Sequence, residues 1–168
     1  MGALKSRRNG SSASSKRGES TTMCNPMCNF VGKRLLLRNE LAELRRLARW
    51  VESRLKHDVS EKLSFAVQLC LEEIVANIIM YGDATDDRIE IMIELERKDR
   101  ILVARIDDNG QEFDPTKFPA PAAGVALATA KVGGLGIHLA RSFANEMNYA
   151  RRDGRNHLTL CFFEPVPR

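Results

Sequence analysis

Leu71-Glu72-Glu73-Ile74-Val75-Ala76-Asn77-Ile78 sets Glu73 and Asn77, four residues apart, in the middle of a largely apolar stretch. Upstream, Ser60 supplies an N-cap. From there Leu63, Val67, Cys70, Leu71, Ile74, Val75 and Ile78 recur over more than one helical stripe, which predicts a largely buried helix. Residues four apart share a helix face, so Glu73 and Asn77 project together. Polar groups on a buried helix need partners, which argues against two merely solvated side chains. An amide oxygen can complete the oxygen-only shell of a Mg²⁺ ion that phosphates already hold, so Asn77 is the metal candidate. A carboxylate one turn earlier can accept the proton of an attacking hydroxyl, a role worth roughly 10² to 10⁴ in rate, so Glu73 is the base candidate. Glu72 points about 100° away and reads as a surface residue.

Outward from this helix the periodicities change. Phe30 to Leu37 is a short apolar run suited to a first strand. Asn39 is placed to cap a helix on which Leu41, Leu44, Leu47 or Ala48, Val51 and Leu55 recur. Beyond Tyr81-Gly82, the alternation of Ile89, Ile91, Ile93 and Leu95 with Glu90, Met92, Glu94 and Glu96 predicts a half-buried strand. Arg97 to Arg100 turns it into an antiparallel neighbour, Ile101 to Ile106, which runs into Asp108-Asn109-Gly110. Residues 115 to 132 are rich in Pro and Ala without strong periodicity, as a mobile lid would be. Gly136 opens a third helix with Ile137, Leu139, Ala140, Phe143 and Met147 inward. Tyr149 to Arg152, a turn at Asp153-Gly154 and the strand His157 to Phe163 follow. The fold class is therefore an α/β (α+β) two-layer sandwich, a mostly antiparallel mixed sheet covered on one face by three helices.

At 168 residues with 43% hydrophobic side chains, the chain can bury one core. The net charge of +4 suggests nucleic acid until it is divided. Residues 1–28 hold Lys5, Arg7, Arg8, Lys16 and Arg17 against Glu19, which is already +4, so residues 29–168 balance to zero. The tail is rich in Ser, Gly and Asn and is expected to be disordered, with one folded domain filling 29–168. No apolar run approaches the roughly 18 residues of a membrane helix, and the basic start lacks the apolar stretch of a secretory signal. We therefore expect a cytoplasmic protein without direct nucleic-acid or membrane binding. Of its four cysteines, Cys24 and Cys28 offer too few ligands for a metal, and Cys70 and Cys161 read as reduced apolar fillers.

Two further motifs carry chemistry. Asp108, just past an apolar strand, can accept a hydrogen bond from an exocyclic amino group such as that of adenine, and Gly110 lets the ring approach the backbone. Gly133-Gly134-Leu135-Gly136 places unobstructed N–H groups at a positive helix end, where phosphates bind. It matches neither the P-loop pattern nor the dinucleotide fingerprint.

Glu73-x-x-x-Asn77, Asp108-x-Gly110 with Asp114-Pro115, and Gly133-Gly134-Leu135-Gly136-Ile137-His138-Leu139, in this order, resemble the Bergerat-type fold of gyrase, ninety-kilodalton chaperones and histidine kinases. The resemblance spans about residues 33 to 163. The small size and these motifs are most similar to the stand-alone bacterial anti-sigma factor serine/threonine kinases. It implies Glu73 as catalytic base, Asn77 as Mg²⁺ ligand, Asp108 and Gly110 as the adenine wall, and Gly134 and Gly136 as phosphate contacts below a lid. Phe113, Lys131, Gly133, Leu135 and Thr159 complete the candidate ATP-binding set. The family commonly carries a Thr just after the Gly of the last turn. Here Arg155 and Asn156 follow Gly154, and Thr159 is the nearest Thr. Gln111-Glu112 stands where many members have a second Gly, and Lys117 and Lys131 are the lid's cations. The resemblance further implies phosphorylation of a STAS-type anti-anti-sigma protein, capture of a sigma factor, and a homodimer. An alternative is an ATP-dependent sequestering regulator without kinase activity. A histidine kinase is disfavoured, since His57, His138 and His157 are scattered and none sits in a helical hairpin.

Overall fold

Alternation of period two builds the sheet. The computed structural model describes residues 32–82, 89–118 and 134–164. Strand β1 spans Lys33–Arg38, β2 Glu90–Lys98, β3 Ile101–Asp108, β4 Glu146–Arg152 and β5 Arg155–Phe163. They pair in the order β1-β2-β3-β5-β4, every pair antiparallel. The sheet among the described residues is thus antiparallel throughout rather than mixed. Leu35, Ile93, Ile106 and Leu158 face one another across four strands and are buried. One step along, the same face carries Leu37, Ile91, Asp108, Asn156 and Arg151. That row begins apolar and ends polar, and its polar end is where the candidate site begins.

Helices α1 (Glu43–Leu55), α2 (Glu61–Tyr81) and α3 (Gly134–Phe143) complete the sandwich. Leu47, Val51 and Leu55 of α1 and Ile137 and Ala140 of α3 join one buried cluster with the sheet. α2 is capped by Ser60, whose hydroxyl accepts from Leu63 N–H at 3.3 Å. Its 21 residues, with a mean hydropathy of 1.6 over the most apolar window, would suit a bilayer by length and composition alone. The expectation that no such run exists is therefore corrected. The fold spends that apolarity on Leu63, Ala66, Val67, Cys70, Leu71, Ile74 and Val75, all buried in the core.

Several boundaries move. α1 starts at Glu43 with Ala42 at its N-cap, so Asn39 does not cap it, and Leu41, ahead of the helix, is 59% exposed. α3 starts at Gly134 and ends at Phe143, which puts Met147 on β4, where it packs against the same core. The β4–β5 turn uses Asp153 and Gly154 with φ of 49° and 75°. That left-handed pair matches the twist of a tight hairpin. Cys70 is free and buried, as expected, whereas Cys161 is disulfide-bonded rather than a reduced filler. The tail 1–28, Phe30 and most of the lid lie outside the described residues.

Candidate functional site

Glu73 and Asn77 sit half-buried on the C-terminal half of α2. Asn77 Nδ2 donates to the Glu73 carbonyl at 2.7 Å. The bond uses the amide nitrogen and leaves the amide oxygen out of it, as an oxygen ligand requires. α3 comes down directly on Glu73. A Cβ built at Gly136 would overlap the Glu73 carboxylate and stand 2.9 Å from its Cβ and Cδ. A glycine there lets the first turn of α3 reach the carboxylate. Cys70, one turn earlier on α2, feels the same surroundings: burial pushes its thiol up to about 12, and the Glu73 charge adds to the rise.

Asp108 ends β3 and is 4% exposed. Its Oδ1 accepts from Gly110 N–H at 2.9 Å and from Asn156 Nδ2 at 2.8 Å. No hydrogen bond among the described residues goes to Oδ2, which leaves an acceptor for a ligand amino group. Burial pushes this carboxyl above its ordinary value. The donors Asn156 and Gly110 and the charge of Arg151 work against the rise, and Asp107 adds to it.

Gly110 joins Asp108 to α2. A Cβ there would stand 2.9 Å from Asp108 Oδ1 and 3.0 Å from the Gly82 carbonyl oxygen. Gln111 N–H donates to that same oxygen at 3.0 Å. The loop after β3 is thus stacked on the end of the helix that carries Glu73 and Asn77. From β4, Arg151 Nη1 donates to Gly110 O at 2.8 Å and closes the loop on its other side.

The other predicted residues divide. Phe113 is 44% exposed on the rim, edge-on to Phe118, which in turn meets His138 of α3. Asp114 caps a short 3-10 turn, Pro115–Lys117, by accepting from Thr116 N–H and Oγ1. Burial pushes the Asp114 carboxyl up, but bonds from Thr116 and Lys117 outweigh it and hold it below its usual value. Lys117, one of the two expected lid cations, pairs with Asp114 at 3.1 Å. Gly134 and Leu135 begin α3, while Lys131 and Gly133 lie outside the described residues.

Thr159 does not join the site. It stands three residues after Asn156 on β5, so the strand's alternation turns it to the opposite face, where it lines a cavity of about 320 Å³ with Arg105, Asn148 and His157. His157 Nδ1 pairs there with Asp107. Asn156 instead reaches Asp108 from the position where the expected Thr had no match. Sequence reading missed it, together with Tyr149 and Arg151. The signal was its place two residues past the Asp153-Gly154 turn, which the antiparallel register sets opposite Asp108.

Residues 37–162 match the family described as histidine kinase-like ATPase domain. The chain belongs to this histidine kinase-like ATPase family. A curated relative, the serine/threonine-protein kinase BtrW of Bordetella bronchiseptica, is 36% identical over 112 residues, covering 66% of this chain and 79% of that protein. Among solved structures, the RsbU and RsbW domains of Rv1364c from Mycobacterium tuberculosis superimpose with a TM-score of 0.57 at 16% identity. That match covers 80% of this chain, which spans about a third of that structure (33%), and it shows the shared fold. As a histidine kinase-like ATPase domain, the chain is an ATP-binding protein, and the site fits that ligand: an acceptor at Asp108, a glycine-opened wall and a helix N-terminus at α3. Among the described residues, no group of three or more His, Cys, Asp or Glu could hold a metal alone. Asn77 suits an ion whose remaining ligands come from phosphates and water.

Proposed function

We propose that this chain is a cytoplasmic protein kinase, acting as a homodimer, that phosphorylates a serine or threonine of a STAS-type anti-anti-sigma protein and sequesters a sigma factor in its other partner state. The observation that carries this function is the pairing on α2 of Glu73, pressed by Gly136 of α3, with Asn77, whose amide nitrogen bonds the Glu73 carbonyl and leaves its oxygen out of that bond. Asp108 and Gly110 hold the adenine, and the N-terminus of α3 receives the phosphates. Mg²⁺, which Asn77 would help to hold, neutralises phosphate charge when bound. Glu73 accepts the proton of the substrate hydroxyl as its oxygen bonds to the γ-phosphorus and the bond to ADP breaks. The name of the Bordetella relative supports a protein kinase, and the RsbW domain of the mycobacterial structure supports the fold such a kinase would use.

The test is transfer of labelled phosphate from Mg-ATP to the STAS partner. Glu73→Gln should lose transfer by about 10²-fold or more and still bind nucleotide. Equal transfer by wild type and variant would remove Glu73 from this role. A second function, sequestration without phosphotransfer, is favoured by the pairing of Lys117 with Asp114, which occupies a lid cation. Stable partner capture with no transfer to any candidate substrate would select it.

A further inference from the structure

Asn156 is 6% exposed, and its amide is engaged on three sides. Nδ2 donates to Asp108 Oδ1 at 2.8 Å and to the Gln111 carbonyl at 2.9 Å, using both amide hydrogens. Oδ1 accepts from the Tyr149 hydroxyl at 2.7 Å. The chain of bonds runs from β4 through β5 to the end of β3 and to Gln111 in the loop after it, so a single amide holds both Asp108 and the backbone beyond it. An amide turned over would bring its oxygen against two acceptors, and the Tyr149 hydroxyl would lose its own. The orientation of Asp108 is therefore fixed by residues that have little capacity left to contact a ligand themselves.

We infer that Asn156 and Tyr149 are positioning residues that set the base selectivity of the nucleotide site through Asp108. This role deepens the adenine contact proposed for Asp108 and depends on it. A carboxylate oxygen fixed in place accepts from a 6-amino group and repels a 6-oxo group, because two acceptors cannot share a hydrogen bond. If the carboxylate can rotate, or its neighbouring backbone can shift, water can fill the gap and the discrimination falls.

Calorimetric titration of the full-length protein with ATP and with inosine triphosphate, its 6-oxo counterpart, measures this directly. Wild type should prefer ATP by more than about tenfold. Tyr149→Phe, which removes one oxygen and keeps the ring, should cut that preference several-fold. Asn156→Ala should cut it by about tenfold. Weakening of both nucleotides to the same degree, with the ratio unchanged in both variants, overturns the positioning role while leaving the Asp108 contact standing. Absence of ATP preference in wild type overturns the contact and the inference together. Should Asn156→Ala fail to fold, Tyr149→Phe alone decides.

Discussion

Asp108 holds a charge at a depth that disfavours it. Its folded-state value lies above the ordinary carboxylate value, chiefly through burial. Between the unfolded and folded values the native protein binds more protons, so stability falls as pH rises through that window, and the ionised side chain destabilises the ligand-free protein at neutral pH. Asp108→Asn keeps an oxygen that can accept from Gly110 and Asn156, and it removes the buried charge. It also turns the remaining acceptor into an amide donor, where the proposed adenine contact needs an acceptor. The expected outcome is a melting temperature at pH 7 no lower than wild type without nucleotide, with ATP binding at least about tenfold weaker by calorimetry. A variant that melts well below wild type would mean that the Asn156 and Gly110 bonds already offset the desolvation of the charge.

The contact between α2 and α3 is the element on which the proposed chemistry depends. In an exposed helix, Gly→Ala gains about 1 kcal/mol. At Gly136 the added methyl group would instead meet the Glu73 carboxylate and side-chain stem, and overpacking of this kind costs about 1–3 kcal/mol. Gly136→Ala should therefore melt earlier than wild type and lose phosphotransfer more than ATP binding, as measured by unfolding and single-turnover transfer. α2 itself was legible from its Ser60 cap and apolar stripes, and β2 with β3 from alternation and a charged turn. Those signals are local, and local sequence holds them. The limits of α1 and α3 were less legible, because Asn39 and Met147 fit a helical spacing while their backbones answer to tertiary packing. Glu73, Asn77, Asp108 and Gly136 stood out by residue type and order. Asn156, Tyr149 and Arg151 did not. Their roles exist only once the β4–β5 hairpin is paired against β3, and that register is set by long-range pairing that no short window contains.

At the scale of the molecule, a nucleotide spanning this site would touch the end of α2, the loop after β3 and the start of α3, parts distant in the chain, and would tie them together further. A ligand that binds only the folded state at 100 times its dissociation constant adds about 2.7 kcal/mol of stability. For a chain of this length that corresponds to a rise in melting temperature of about 5–10 °C. Mg-ATP should produce such a rise in wild type, and chelation of Mg²⁺ should reduce it, since the phosphates would then repel one another beside Glu73. Asp108→Asn should lose most of the rise because it loses the adenine contact. Glu73→Gln should keep it, because its proposed work begins only when a hydroxyl attacks. This contrast separates holding ATP from using it: loss of the thermal shift in Glu73→Gln, to the extent seen in Asp108→Asn, would place Glu73 among the groups that bind the nucleotide and leave the attacking hydroxyl without its base.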